Sequence, residues 1–165
     1  MFDRIDRALG ALCLGLAWLG GGALLAAALL TTASIAGRAL VPLGLGPVPG
    51  DYELVQFAAA FAVAASLPLC QHRRGHVTVD LATDAMGPGA ARLARAAGAP
   101  GMAAAAALIA WRTALGLADK LGSAFYVETT FILQIPVWHG YAAALPGLIL
   151  FAPVCLWTAL RGLRA

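Results

Sequence analysis

No charged residue stands between Arg7 and Arg38, a run of thirty positions that dictates the environment of the chain. A hydrocarbon layer roughly 30 Å thick is crossed by about 20 mostly apolar residues in a helix, because lipid offers no partner to an unbonded backbone group. The run is long enough to cross with tilt. A secretory signal peptide is the competing reading, since the start Met-Phe-Asp-Arg-Ile-Asp-Arg is charged and Ala33-Ser34-Ile35-Ala36 loosely resembles a cleavage site. Its apolar core would be only about 7–15 residues long. The segment is therefore expected to remain as a first spanning helix.

Three more segments meet the same length criterion. The expected spans are 8–37, 52–71, 94–118 and 137–160, with Pro68, Pro146 and Pro153 inside them as kinks, which membrane helices tolerate. Only 12% of residues are charged and mean hydropathy is +0.83, whereas a soluble domain carries about 25% charged residues. The expected class is an all-α integral membrane protein of four transmembrane helices, forming one unit over 1–165. Its connections are too short for another domain. Between the second and third spans, Val77, Leu81 and Ala85 recur at helical spacing while Asp80 and Asp84 face away. This pattern predicts a short amphipathic helix over 78–86 at the membrane surface, ended by Gly87-Pro88-Gly89. Small residues let membrane helices approach closely, so Ala58, Ala62 and Ser66 on the second span and Ala99, Ala103 and Ala107 on the third are candidate contact stripes.

Orientation follows from the basic residues. With both termini cytoplasmic, the inner side holds Arg4, Arg7, Arg73, Arg74, Arg92, Arg95, Arg161 and Arg164, against Arg38, Arg112 and Lys120 outside. Tyr52, Trp111, Tyr126, Trp138 and Tyr141 then fall near the outer interface, where aromatic rings collect.

Catalytic chemistry finds no constellation in the sequence. The acids divide into sets across the bilayer: Asp3, Asp6, Asp80 and Asp84 inside, Asp51, Glu53, Asp119 and Glu128 outside. Cys13, Cys70 and Cys155 lie toward the cytoplasmic side, where disulfides are rare, and no C-x-x-C spacing occurs; inert thiols are expected. His72 and His76 would share a helical face, the geometry of some metal sites, but Arg73-Arg74 between them repels a cation. His139 is expected at the opposite interface, which makes a haem bridge to them geometrically poor. No enzyme activity, cofactor or metal is expected. A net charge of +3 with scattered arginines gives no nucleic-acid footprint. Arg112 is the only charge well inside a span and is close enough to the outer edge to snorkel. Self-sufficient transporters carry intramembrane ionisable groups; this chain reads as a scaffold or accessory subunit. A four-helix redox or haem protein is the alternative and would show a visible absorbance band.

Three segments carry a family resemblance: Tyr52-Glu53-Leu54 before the second span, Arg73-Arg74-Gly75-His76-Val77-Thr78-Val79-Asp80 after it, and Glu128-Thr129 with Gln134-Ile135-Pro136-Val137-Trp138 before the fourth. In this order, on four spans, the chain resembles the small (Q-type) permease subunit of tripartite ATP-independent periplasmic (TRAP) transporters. The resemblance implies two partners besides membrane lipid, a large permease subunit and a periplasmic substrate-binding protein. It implies sodium-coupled uptake of a carboxylate, such as a C4-dicarboxylate, sialic acid or another organic acid, across the bacterial inner membrane. Glu53, Arg73, His76, Asp80, Glu128, Pro136 and Trp138 are its motif positions, expected to act in structure or at a partner interface. Asp80 would favour the surface helix's N-terminus through the helix dipole, Thr78 would cap it, and His76 would hold it against a neighbouring span.

Overall fold

A computed structural model describes residues 2–73, 88–122 and 127–164, with side chains of 88–97, 99 and 162–164 left aside. Among these residues there are four α-helices, α1 (Phe2–Ala39), α2 (Asp51–His72), α3 (Pro88–Gly122) and α4 (Trp138–Arg164), with a 3-10 turn at Val41–Leu43. Each is long and apolar enough to cross a membrane, α3 over Pro100–Gly122. The protein is an all-α, four-span membrane protein, as expected. The expected surface helix at 78–86 lies outside the described residues.

Most helix ends lie beyond the hydropathy limits. α1 begins at Phe2 rather than 8, α3 begins at Pro88 rather than 94, and α4 runs to Arg164 rather than 160. Hydropathy marks where apolar side chains stop, whereas backbone hydrogen bonding continues as long as each N–H finds its carbonyl. Pro88 can open α3 because the first helical position has no N–H to donate inside the helix. Pro68, Pro146 and Pro153 sit within helices, as expected, and Pro100 joins them.

The helices pack in the order α1, α2, α4, α3. α1 lies against α2, α2 against α4, and α4 against α3; α1 touches α4 only slightly. The buried residues of α1 are Cys13, Gly20, Ala27 and Ser34. These positions are seven apart, the period that keeps one helical seam facing a neighbour in left-handed packing. All four are small, which brings backbones close where lipid gives no hydrophobic drive to association. A Cβ on Gly20 would stand 3.1 Å from the Cβ of Ala65 and 3.2 Å from the Cα of Ala62.

α4 and α2 are the two inner helices of this layer. Gly147 of α4 is in such close contact with the Ala64 carbonyl of α2 that a Cβ there would overlap it. Seven residues earlier Gly140 receives the Phe57 ring, and seven later Val154 is fully buried. On the other side, Phe151 and Cys155 pack with Ala103 and Ala106 of α3, and Leu148 packs with Ala110 and Ala64. The expected small-residue stripes are thus partly corrected. Ala62 and Ala103 are buried, but Ser66 and Ala107 are exposed. Four-residue steps advance about 400° on a 3.6-residue helix, so such a stripe drifts off the contact face. The observed seam of α3, Ala103-Ala106-Ala110, alternates steps of three and four and stays on it.

Candidate functional site

Polar side chains gather at the two ends of this layer. The end where α2 and α4 begin is called upper here, and the end where α1 begins lower.

At the upper end Glu53, in the first turn of α2, is buried with 7% exposure. Its carboxylate accepts the backbone N–H of Ile132 at 2.6 Å and of Leu133 at 2.9 Å. It thereby fastens the α3–α4 connection to α2, and its negative charge also suits the helix N-terminus. The connection is a small hairpin. Thr129 and Pro136 form an isolated antiparallel bridge, flanked by Thr130 N–H to Ile135 O at 2.9 Å and Val137 N–H to Glu128 O at 2.9 Å. Gln134 turns the chain with φ 54°, and its Nε2 donates to Phe131 O at 3.0 Å. Leu133 rests directly on Gly50, which caps α2 in a left-handed conformation, φ 74°. Only glycine meets both demands without strain, the positive φ and the missing side chain.

Ser34 of α1 completes this end. Wholly buried, it donates to Asp51 Oδ2 of α2 and accepts Val48 N–H at 3.2 Å, so one hydroxyl joins α1, the first connection and α2. The remaining motif residues are peripheral. Glu128 pairs with Lys120 at 2.6 Å. Trp138 opens α4 and stacks on His139 with centroids 3.7 Å apart, while Pro136 O accepts His139 N–H at 3.2 Å.

At the lower end a second knot ties α1, α2 and α4. Asp6 Oδ1 accepts the Trp157 indole N–H at 2.8 Å and Arg161 at 2.8 Å, with His72 Nε2 3.9 Å away. The His72 ring lies against Gly10, where a Cβ would be 3.0 Å from Nε2. Beside it, Gln71 Nε2 donates to Thr158 Oγ1 at 2.8 Å, and Phe2 stacks on Trp157 at 5.5 Å. His72, considered above as half of a metal pair with His76, faces this knot; His76 and Asp80 lie outside the described residues. Arg73 caps α2 with an exposed side chain. Among the described residues no three His, Cys, Asp or Glu side chains gather closely enough to hold a metal ion. Between the knots, Cys13 and Cys155 are buried and Cys70 is half-buried.

Both knots therefore hold helices together. The hydroxyl–carboxylate pair of Ser34 with Asp51 has its serine wholly buried and also bonded to Val48 N–H, so it braces helices. Residues 27–165 match the family described as tripartite ATP-independent periplasmic transporters, DctQ component. The chain belongs to that family. No curated protein and no solved structure matches it. As a DctQ-type chain it is the small membrane subunit of a TRAP transporter, a transport component and not an enzyme.

The DctQ family match leaves open what each motif residue does, and here the geometry adds most at Glu53. The lower knot was not anticipated, although a signal for it exists. Asp6 precedes Cys13 by seven, in phase with the buried seam of α1, so a polar side chain at that position is turned toward α2 and α4. Replacing Asp6 with alanine should leave the Trp157 N–H without its acceptor and cost about 1–2 kcal/mol. Asp6→Asn keeps an acceptor for the indole and should cost less. Thermal unfolding of the detergent-solubilised chain reads both, and equal losses would show that the indole bond contributes nothing.

Proposed function

We propose that this chain is the scaffold half of a sodium-coupled carboxylate importer in the bacterial inner membrane, working with a large permease subunit and a periplasmic substrate-binding protein. The observation that carries this reading is the DctQ match across 27–165. Substrate and sodium would be handled by the large permease, and the substrate would be a C4-dicarboxylate, sialic acid or another organic acid. Both termini and the lower knot face the cytoplasm in this reading, with the hairpin at the periplasmic side, as the arginine bias favours. The chain works as one four-helix unit over 1–165. Glu53, Glu128, Pro136 and Trp138 shape its periplasmic end, and Arg73, His76 and Asp80 belong to its cytoplasmic end.

The spans support this division of labour. α1 has no charge between Arg7 and Arg38, and α2 has none between Glu53 and its terminal His72. A charged solute crossing such helices would face a desolvation penalty of several kcal/mol with little to offset it. The structure instead offers long, braced helices of the kind that enlarge the footprint of a moving partner. Reconstitution tests the proposal: vesicles carry this chain alone, a large TRAP permease subunit alone, or both, with the binding protein and an imposed sodium gradient. Sodium-dependent carboxylate uptake should require the full set. Uptake by this chain alone would refute the scaffold role, and full uptake without it would refute its participation.

A further inference from the structure

The hairpin between α3 and α4 uses a buried carboxylate and at least five hydrogen bonds to hold a tip that is itself apolar and bare. Phe131 is 92% exposed and Ile132 56%. In water such a tip would be costly to display. We propose that it is an interfacial membrane anchor, with Phe131 and Ile132 seated in the lipid at the boundary between acyl chains and headgroups on the upper side.

Depth is the first argument. α2 has 22 residues, about 33 Å at 1.5 Å per residue, which matches a hydrocarbon layer of about 30 Å. Asp51 and Glu53 at one end and His72 at the other therefore mark the two boundaries of the apolar layer. The tip does not project beyond its boundary, because its backbone is bonded to Glu53 in the first turn of α2 and Leu133 rests on Gly50. Phe131 and Ile132 thus branch from a backbone fixed at the level where lipid headgroups meet acyl chains.

Chemistry is the second. Positions 129–139 hold no charged residue, nor do 39–50 in the other upper connection, where Leu43 is 76% exposed. A soluble partner recognised by charge would find nothing to complement on these stretches, and Glu128, the acid next to the hairpin tip in sequence, is already paired with Lys120. Apolar side chains backed by Tyr52 and Trp138 have instead the composition of an interfacial belt. Rigidity is the third. A preformed tip loses little conformational freedom on insertion, so more of its apolar burial appears as binding. The anchor would hold the α3–α4 pair at a set depth, and it depends only on the helices spanning the bilayer, not on the transporter reading above.

The test places an environment-sensitive fluorophore on Phe131→Cys in a background of Cys13→Ala, Cys70→Ala and Cys155→Ala, with Ile132→Cys as a second site should the first misfold. The full chain is placed in phospholipid nanodiscs, then in the same nanodiscs with the large permease and binding protein. Lipids spin-labelled near the headgroup should quench the probe severalfold more strongly than aqueous iodide, both for the chain alone and in the assembly. Quenching by iodide with none from lipid would overturn the anchor. Shielding from iodide that appears only when the permease or the binding protein is added would overturn it as well, making the tip a protein-docking surface.

Discussion

Gly147→Leu should separate α2 from α4 and cost at least about 3 kcal/mol, the upper part of the range for overpacking a filled core. The reason is that the neighbour is backbone. A Cβ at position 147 would overlap the Ala64 carbonyl, with the Ala64 carbon and the Ala65 nitrogen directly behind it. A flexible side chain could rotate away, but a helix backbone yields only by moving as a body. That motion would open the contacts of Leu148 with Ala64 and Ala110 on both flanks, and in lipid no hydrophobic drive restores them. Gly147→Ala should already lower stability measurably. The control is Gly21→Leu, at a position with nothing within contact distance; it should be near neutral apart from a helix-propensity gain below about 1 kcal/mol. Thermal unfolding followed by size-exclusion chromatography in detergent reads all three. Equal stability of the Gly147→Leu and Gly21→Leu proteins would refute close approach at 147.

Glu53→Ala should loosen the α3–α4 hairpin without unfolding the four helices. It strips two amides, those of Ile132 and Leu133, of charge-assisted acceptors, and such bonds are roughly twice as strong as neutral ones. Amide exchange at 132 and 133 should speed up by more than about tenfold, since each factor of ten needs only 1.4 kcal/mol of lost local stability. Amides in the middle of α1 and α4 should be unchanged. Glu53→Gln keeps one carbonyl oxygen and should fall between wild type and alanine. Glu128→Ala removes an exposed partner of Lys120 and should change exchange little, because surface ion pairs contribute little net stability. If exchange at 132 and 133 were the same in the wild-type and Glu53→Ala proteins, the carboxylate would not be what holds the loop.

Glu53 also shows how far a linear reading reaches. Its place just before a span, in a short motif, marked it as significant, but nothing in the order of residues says that its partners lie at 132 and 133, some eighty positions away. Ser34 is a sharper case. It sits in a charge-free apolar run and looked like a fragment of a cleavage signal, whereas its neighbours in space are Val48 and Asp51. Asp6 looked like a flank of the first helix and proved to be the acceptor for Trp157 and Arg161.

Hydropathy was sufficient to place four spans and the class of the protein, because the cost of putting charge or unbonded backbone into lipid is a local property of about 20 consecutive residues. It could not say which face of each span meets a neighbour. In a bilayer, leucine on the lipid side and alanine on the helix side are both apolar, so the pattern that separates core from surface in water is missing. Small residues are the surviving signal, and here their period matters more than their abundance. Cys13, Gly20, Ala27 and Ser34 carry the seven-residue period of a real seam, while the four-residue stripes on α2 and α3 run off it. Even a correct seam names no partner: the layer order α1, α2, α4, α3, the pairing of Gly147 with Ala64 and the closing of both polar knots depend on backbones meeting across long sequence separations, and those meetings exist only once the helices have packed.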